Sequence, residues 1–431
     1  MTSPPGTPPA SDGLADGLAT TLAPVLGTPV AIDGLRRLTG GASRETWSFR
    51  ANREALILRR DPPGRPNAPG AMQREADAMR ACRRAGLRVP DVLVDDDGTG
   101  LGTAGLVMRH VAGETIARRI LRDDAYAEAR RVLVRDLARF LAGLHALDPA
   151  EVPGLEARDP LADSQARYER GEDRSPVFDK TREWLVAHRP APAAAVVVHG
   201  DLRLGNVIVD ERGLAAAIDW ELVQLGDPLQ DLAYLCLKAW RFGGPGEAAG
   251  LGTVDELLTE YEVAGGRSVD RDAFHWWLVE RTYHWGVGCM AQGDAHLSGR
   301  VRSMELAAVG RRAAEQEWDL VELLAPDAAR ATLDAPLPTP LPDDATLYGR
   351  PTARELLDAV AGFLADDVAA SDDPRLAYQA RVALNVVRMV ERELAHPATR
   401  RAGDDWNTLA LDVRDRLTVA NPRHLKSIRS D

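Results

Sequence analysis

Between His199 and Asn206 the chain reads HGDLRLGN, and the stretch AAIDWE that follows puts Asp219 18 residues after Asp201. Two carboxylates and an amide at these intervals fall on a loop and on the hairpin behind it, where they can converge. Such groups suit transfer of a phosphoryl group from ATP, a reaction that asks for positioning and charge neutralisation more than for covalent chemistry. Asp201 can accept a hydrogen bond from a substrate hydroxyl and take its proton. Asn206 and Asp219 offer hard oxygen ligands of the kind Mg2+ prefers. Arg203, two residues beyond Asp201, has a planar fork suited to the moving phosphoryl group. An isolated octapeptide of this type also reads as a turn whose Asp and Asn cap backbone groups. The appearance of AAIDWE and then GDPLQDLA in order weighs against that reading.

The elements that must position these residues are legible around them. From about Thr28 to Arg60, short apolar runs alternate with turn residues, which predicts three antiparallel strands. AMQREADAMRACRRAG reads as a helix ended by Gly86, and VPDVLVDDD and GLVMRHV as two further strands. Beyond Gly113 the apolar spacing becomes helical. The segment AVVVHGDLRLGNVIVDERGLAAAIDW interrupts it as a strand, a loop and a hairpin, and helices resume from Leu229 to about Leu324. A proline-rich stretch then precedes a last group of helical patterns, TARELLDAVAGFLADDVA, PRLAYQARVALNVVRMVERELA and WNTLALDVRDRLTVAN. The division expected is a mobile tail and leading helix over 1–27, a first lobe over 28–112, a second over 113–332, a linker over 333–346 and a helical accessory domain over 347–431.

Composition bounds the rest. A chain of 431 residues exceeds what one core usually serves, so two or three compact units are expected. The net charge of -12, from 65 acidic and 53 basic residues, argues against an extended grip on nucleic acid or an anionic membrane. Cys82, Cys236 and Cys289 stand far apart with no paired spacing, as reduced thiols would. No signal-peptide pattern opens the chain and no apolar run is long enough to span a bilayer, so a cytoplasmic location is expected.

The spacing H-x-D-x-x-x-x-N followed by a strand-borne Asp is that of the protein-kinase catalytic and magnesium loops. With Gly200 where those enzymes carry Arg, IDWE in place of DFG, and GDPLQDLAYL afterwards, the sequence resembles the aminoglycoside phosphotransferase (APH) family of kinase-like enzymes. That resemblance implies an α+β, bilobal, protein-kinase-like fold, with a small β-rich N-lobe and a helical C-lobe, plus the C-terminal all-α domain. It implies an ATP-dependent small-molecule kinase in which His199 and Asp227 support the site and Asp231 braces the catalytic loop through backbone hydrogen bonds. LTGGASRETWSF resembles the phosphate-covering loop, with Gly40, Gly41 and Ser43 toward the nucleotide. Where kinases carry a lysine on the third strand, this chain has ALILRR; Arg59 is the candidate, Glu75 its partner, and Arg60 the alternative if the register slips by one. GLVMRHVAGET resembles the hinge, with backbone groups of Met108, Arg109 and His110 toward adenine.

The acceptor is expected to be a small-molecule alcohol. HWWLVERTYHWGVGCMAQGDAHLSGR gathers Trp276, Trp277, His284 and Trp285, which could line a pocket for it or simply pack the helical core. This segment resembles the branch of the family found with acyl-CoA dehydrogenases, which implies hydroxyacyl-CoA or related substrates more readily than antibiotics. A kinase-fold binding module without turnover and an aminoglycoside kinase are the competing readings. A protein kinase is disfavoured, because G-x-G-x-x-G, DFG and APE are absent. The last helices resemble a small domain of unknown role; a homodimer and a docked partner enzyme are both open there.

Overall fold

Leu14, Leu18 and Leu22 stand four residues apart on the first helix, α1 (Ser11–Leu26), and form one apolar stripe. That stripe packs with Phe49, Leu56, Leu58, Leu101 and Val107 in a single buried cluster. The leading helix is therefore part of the core of the first lobe. The computed structural model describes residues 11–27, 29–38, 44–64, 68–341, 343, 350–396, 401 and 403–428; the expected tail over residues 1–10 lies outside them.

The five expected strands form one antiparallel sheet. β1 (Ile32–Arg37), β2 (Glu45–Ala51), β3 (Glu54–Arg60), β4 (Val92–Asp97) and β5 (Ala104–Arg109) run in the order β1-β2-β3-β5-β4. The β2–β3 turn is Asn52-Arg53, both at positive φ (49° and 72°), the backbone that matches the twist of a two-residue hairpin. α2 (Ala71–Arg84) packs on β4 and β5 and buries Glu75 among Met72, Ala76 and Met79.

After the sheet, Gly113 passes so close to the later hairpin that a Cβ there would lie 2.7 Å from the Val209 carbonyl oxygen, at a φ of +147°. Beside it, Glu114 and Val209 exchange backbone hydrogen bonds of 2.8 and 3.0 Å. α3 (Ala117–Arg122) and the long α4 (Ala127–His145) follow, then α5 (Pro160–Arg170) and α6 (Pro176–Ala187). β6 (Val196–Val198) leads into the HGDLRLGN loop, and β7 (Val207–Asp210) and β8 (Gly213–Ala217) form the expected hairpin. A strand not anticipated, β9 (Gln224–Gly226), returns to pair with β6. Asp201 thus follows β6, and Asp219 precedes the strand bonded to it. α7 (Leu229–Cys236) and α8 (Val254–Val263) complete this part.

Contacts divide the chain into two compact units. One runs up to Ala157 and adds Pro192–Cys236 and Trp240–Val269; the other comprises Arg158–Ala191, Leu237–Ala239 and everything from Asp270. In the second unit α9 (Arg271–Leu297) packs against α5, α6, α10 (Met304–Gly310) and α11 (Ala313–Leu324), with α12 (Pro326–Asp334) following. The C-terminal helices α13 (Ala353–Phe363), α14 (Pro374–Ala395), α15 (Trp406–Ala420) and α16 (Pro422–Ile428) were expected to stand apart from residue 347 onward. Contacts group them with α9–α12 instead. The reason is burial: α15 sinks Leu409, Val413 and Leu417 against α11 and α12. Its Arg414, 1% exposed, donates to the carbonyls of Thr332 and Ala335 at 2.8 Å each. Among the described residues, no helix is long and apolar enough to cross a membrane.

Because Leu18 is fully buried in the sheet's core, Leu18→Ala is expected to lower unfolding stability by about 2–5 kcal/mol. Chemical denaturation would measure it; a change within about 0.5 kcal/mol, the range of surface substitutions, would show that α1 is only an appendage.

Candidate functional site

The turn after β6 is held from below by Asp231 on α7. Its fully buried carboxylate accepts from the backbone N–H groups of His199 at 2.7 Å and Gly200 at 2.8 Å. His145, at the end of α4, approaches the same carboxylate through Nε2 at 3.3 Å and meets the Tyr261 hydroxyl through Nδ1 at 2.9 Å. Burial pushes the Asp231 carboxyl up, but His145 and the Gly200 N–H outweigh it and hold the group below the usual carboxylate range. Gly200 sits at a φ of +81°, and a Cβ there would meet the Leu222 carbonyl oxygen at 2.5 Å. The HGD turn therefore needs glycine at its centre.

His199 locks the turn from inside. Its ring is buried against Trp220, with centroids 4.6 Å apart. Nε2 lies 3.1 Å from the Ile218 carbonyl oxygen, and Nδ1 accepts from the Asp201 N–H at 3.3 Å. This assigns the Nε2–H tautomer, because a carbonyl can only accept. The Asp201 carboxylate is then gripped at both oxygens, by Arg203 Nε at 3.2 Å and by Asn206 Nδ2 at 2.7 Å. Asn206 also donates to the Asp201 carbonyl at 2.8 Å, so its amide oxygen is the end left to meet a cation. Arg203 stacks over the Trp240 ring at 4.5 Å. Burial raises the Asp201 carboxyl above its ordinary value despite the opposing charge of Arg203.

Asp219 arrives from the other strand of the hairpin with a positive φ of 70°, strained for a residue that is not glycine. Its Oδ1 accepts from Arg59 Nη2 at 2.7 Å, and Arg59 Nη1 lies 3.9 Å from Glu75. For Asp219, burial works upward, but Arg59 prevails and keeps the carboxyl low. For Arg59, burial works downward, but Asp219 and Glu75 prevail and raise it. Arg60 faces the other side of β3, as strand alternation requires: it bonds Glu45 at 2.9 Å and lies over Trp47. Of the two arginines, Arg59 is the one that reaches Glu75 and Asp219.

One residue of this network was missed from the sequence. Arg44, at the start of β2 and 5% exposed, forms the tighter ion pair with Glu75 and lies 3.6 Å from Asp61. Glu75, 1% exposed, is nonetheless raised by burial, against the pull of Arg44 and Arg59. No local signal marks Arg44, since its partner is 31 residues away on a helix.

Other expected residues fall elsewhere. Gly40, Gly41 and Ser43 lie outside the described residues. Asp227 accepts from the Leu229 N–H at 2.9 Å at the start of α7. In the expected hinge, the N–H groups of Arg109 and His110 are donated to the carbonyls of Asp91 and Ala55, and Met108 is a buried sheet residue paired on both sides. Trp276 and Trp277 belong to the second compact unit and pack its core. Both are buried, at 5.0 Å centroid separation, and the Trp276 indole donates to the Leu185 carbonyl at 2.9 Å. His284 meets Ser164 at 2.9 Å, and burial together with Arg281 and Arg167 lowers it well below its usual value. Trp285 is half-buried beside them on α9. The expectation that these four line an acceptor pocket thus loses at least Trp276 and Trp277 to core packing.

Comparison with known proteins follows this geometry. The family model described as phosphotransferase enzyme family, APH, matches residues 34–273, more than half of the chain. The chain belongs to the APH family. The matched family is one of phosphotransferase enzymes. It is 31% identical over 215 residues to acyl-CoA dehydrogenase family member 10 of Mus musculus, covering 46% of this chain and 20% of that protein. It is 30% identical to acyl-CoA dehydrogenase family member 11 of Gallus gallus, over 48% of this chain and 28% of that one. The chain thus spans under a third of these two relatives. An aminoglycoside 3'-phosphotransferase of Escherichia coli is 34% identical over 26% of this chain and 45% of its own. Among solved structures, a Ralstonia eutropha protein described as an aminoglycoside phosphotransferase shares the fold with a TM-score of 0.57 at 23% identity, over 70% of this chain and 97% of that one.

Gly200→Ala is expected to lower turnover about a hundredfold, because displacing the Asp201 turn by even an ångström misplaces the reacting groups. Steady-state kinetics on the folded variant would measure this; unchanged kcat would mean that the contact with Leu222 is easily relieved.

Proposed function

We propose that this kinase moves the γ-phosphate of ATP, with magnesium, to a hydroxyl of a hydroxyacyl-CoA or related hydroxy compound. The observation that carries the catalytic part is the doubly gripped, upward-shifted carboxylate of Asp201. A carboxylate held in a fixed direction and raised in basicity is suited to orient an alcohol and accept its proton as the bond to phosphorus forms. Arg203, bonded to Asp201 and stacked on Trp240, would neutralise charge on the moving phosphoryl group.

Magnesium fits the donors present. The Asn206 amide oxygen and the Asp219 carboxylate are hard ligands, and Asp219 is kept ionised. Among the described residues there is no cluster of three His, Cys, Asp or Glu side chains, but magnesium is commonly held by one or two protein oxygens with phosphate and water completing its shell. When bound, it would neutralise phosphate charge and fix the nucleotide's geometry. Arg59 would contact the phosphates in the role usually given to lysine, and backbone groups around Met108 to His110 would meet adenine. The finer substrate class is supported by the relatives named as acyl-CoA dehydrogenase family members.

Two measurements test this reading. Magnesium-dependent phosphate transfer to a panel of hydroxyacyl-CoAs, simple hydroxy acids and aminoglycosides should favour the first; exclusive use of aminoglycosides would overturn the substrate class, and no transfer despite ATP binding would leave a binding module. Asp201→Ala should abolish turnover while ATP binding persists. In the wild type, kcat/KM should rise with pH through an acid limb centred above the ordinary aspartate value of about 3.9, since the folded-state carboxyl is raised and must be ionised to act. An acid limb at or below that value would remove Asp201 as the base.

A further inference from the structure

On the side of the first unit bounded by the corner of α3 and α4, a cleft of about 520 Å³ is walled by Arg122, Arg130 and Arg131 and, opposite them, by the backbone of Gly243, Gly244 and Gly250. Its lining contains three guanidinium groups and no carboxylate, in a chain whose net charge is -12. Its size lies within the range of small-molecule sites. We propose that this cleft binds the phosphate-bearing end of an anionic acceptor. The proposal rests on reading Asp201 as the centre of a phosphotransferase.

The three arginines are differently held. Arg130 Nη1 donates to the carbonyls of Ile120 and Asp123 at 2.8 Å each, which fixes it as a rigid part of the wall. Arg122 is exposed. Arg131 meets Glu128 at 2.7 Å, but both side chains are more than 70% exposed. Such a pair is weak and can exchange for a multiply charged anion. Guanidinium forks match phosphate oxygens in pairs.

The opposite wall is preformed. Gly246 bridges to Gly250 and Ala248 to Gly252, closing the segment on itself. A Cβ on Gly244 would lie 2.2 Å from the Gly250 carbonyl oxygen, and one on Gly250, where φ is +78°, 2.4 Å from that of Arg241. Only glycine lets the backbone close this tightly. The same segment begins at the catalytic loop. Trp240 lies under Arg203, and the Phe242 ring is 3.5 Å from where a Cβ on Gly205 would stand. At Gly243 the corresponding point is 3.9 Å from Arg122 Nη2. One short segment therefore joins the reacting centre to the arginine cleft, so an acceptor whose hydroxyl is at Asp201 can have its charged end at Arg122.

The test separates binding from turnover. Calorimetric titration of inorganic pyrophosphate is made into protein whose nucleotide site is saturated with AMP-PNP and magnesium, comparing wild type with Arg122→Ala/Arg131→Ala. Both positions are exposed, so the variant should fold. The wild type should bind in a salt-sensitive manner, and the variant at least about tenfold more weakly. In kinetics, the variant should raise KM at least about tenfold for phosphate-bearing acceptors, leaving their kcat and the KM of uncharged alcohols unchanged. Absence of wild-type pyrophosphate binding, equal binding by the variant, or an equal KM rise for charged and uncharged acceptors would each overturn the cleft. A wild type that phosphorylates no acceptor would instead refute the reading of Asp201, while the titration would still decide whether the cleft takes phosphate.

Discussion

A carboxylate with no exposure to water, that of Asp231, organises the HGDLRLGN loop. Burying Asp231 is costly unless its oxygens are satisfied, and they are satisfied by the two backbone N–H groups that open the HGD turn and by His145. The cost and its relief are thus the same contacts that fix the turn. Once His199 and Gly200 are held, the Asp201 N–H can reach His199, and the His199 ring can reach Ile218. Ile218 immediately precedes Asp219, so one buried carboxylate sets the positions of both Asp201 and Asp219 through a chain of hydrogen bonds.

This dependence explains why the secondary structure is interrupted where it is. The β6–β9 pair and the β7–β8 hairpin occur inside a helical region because two loops must meet at one point, and strands bring chain ends together over short distances. Gly200 and Asp219 both adopt positive φ at that meeting point. Conformational cost is concentrated there and is carried by the packed strands and by α7 around it.

The part of the site that was legible in the sequence was the part encoded locally. HGDLRLGN and AAIDWE place their chemistry within a loop and a hairpin, and the strand and helix patterns on either side mark the elements correctly. What was not legible depended on partners far along the chain. Nothing near Arg44 announces Glu75, and QLG at β9 is too short and too polar for a strand to be read from it. The pairing of the Arg109 and His110 N–H groups was not legible either, because a backbone N–H paired in a sheet looks no different in sequence from one that is free. Trp276 and Trp277 carried the same ambiguity: an indole that packs a core and one that lines a pocket have the same letters, and only burial separates them.

Arg59 shows how a departure from a pattern can be accommodated by a second one. A lysine at this point would offer a compact charge to one partner at a time, whereas a guanidinium has five donors on a planar fork. Arg59 uses one nitrogen for Asp219 and turns another toward Glu75, at a longer 3.9 Å. Glu75 does not depend on that long contact, because Arg44 holds it closely from β2. The acid that would otherwise compete for Arg59 is therefore already neutralised, and Arg59 is left committed chiefly to Asp219. In the proposed role its fork, with more donors than that one bond uses, would face phosphate oxygens without leaving Asp219, where the kinase pattern has a lysine.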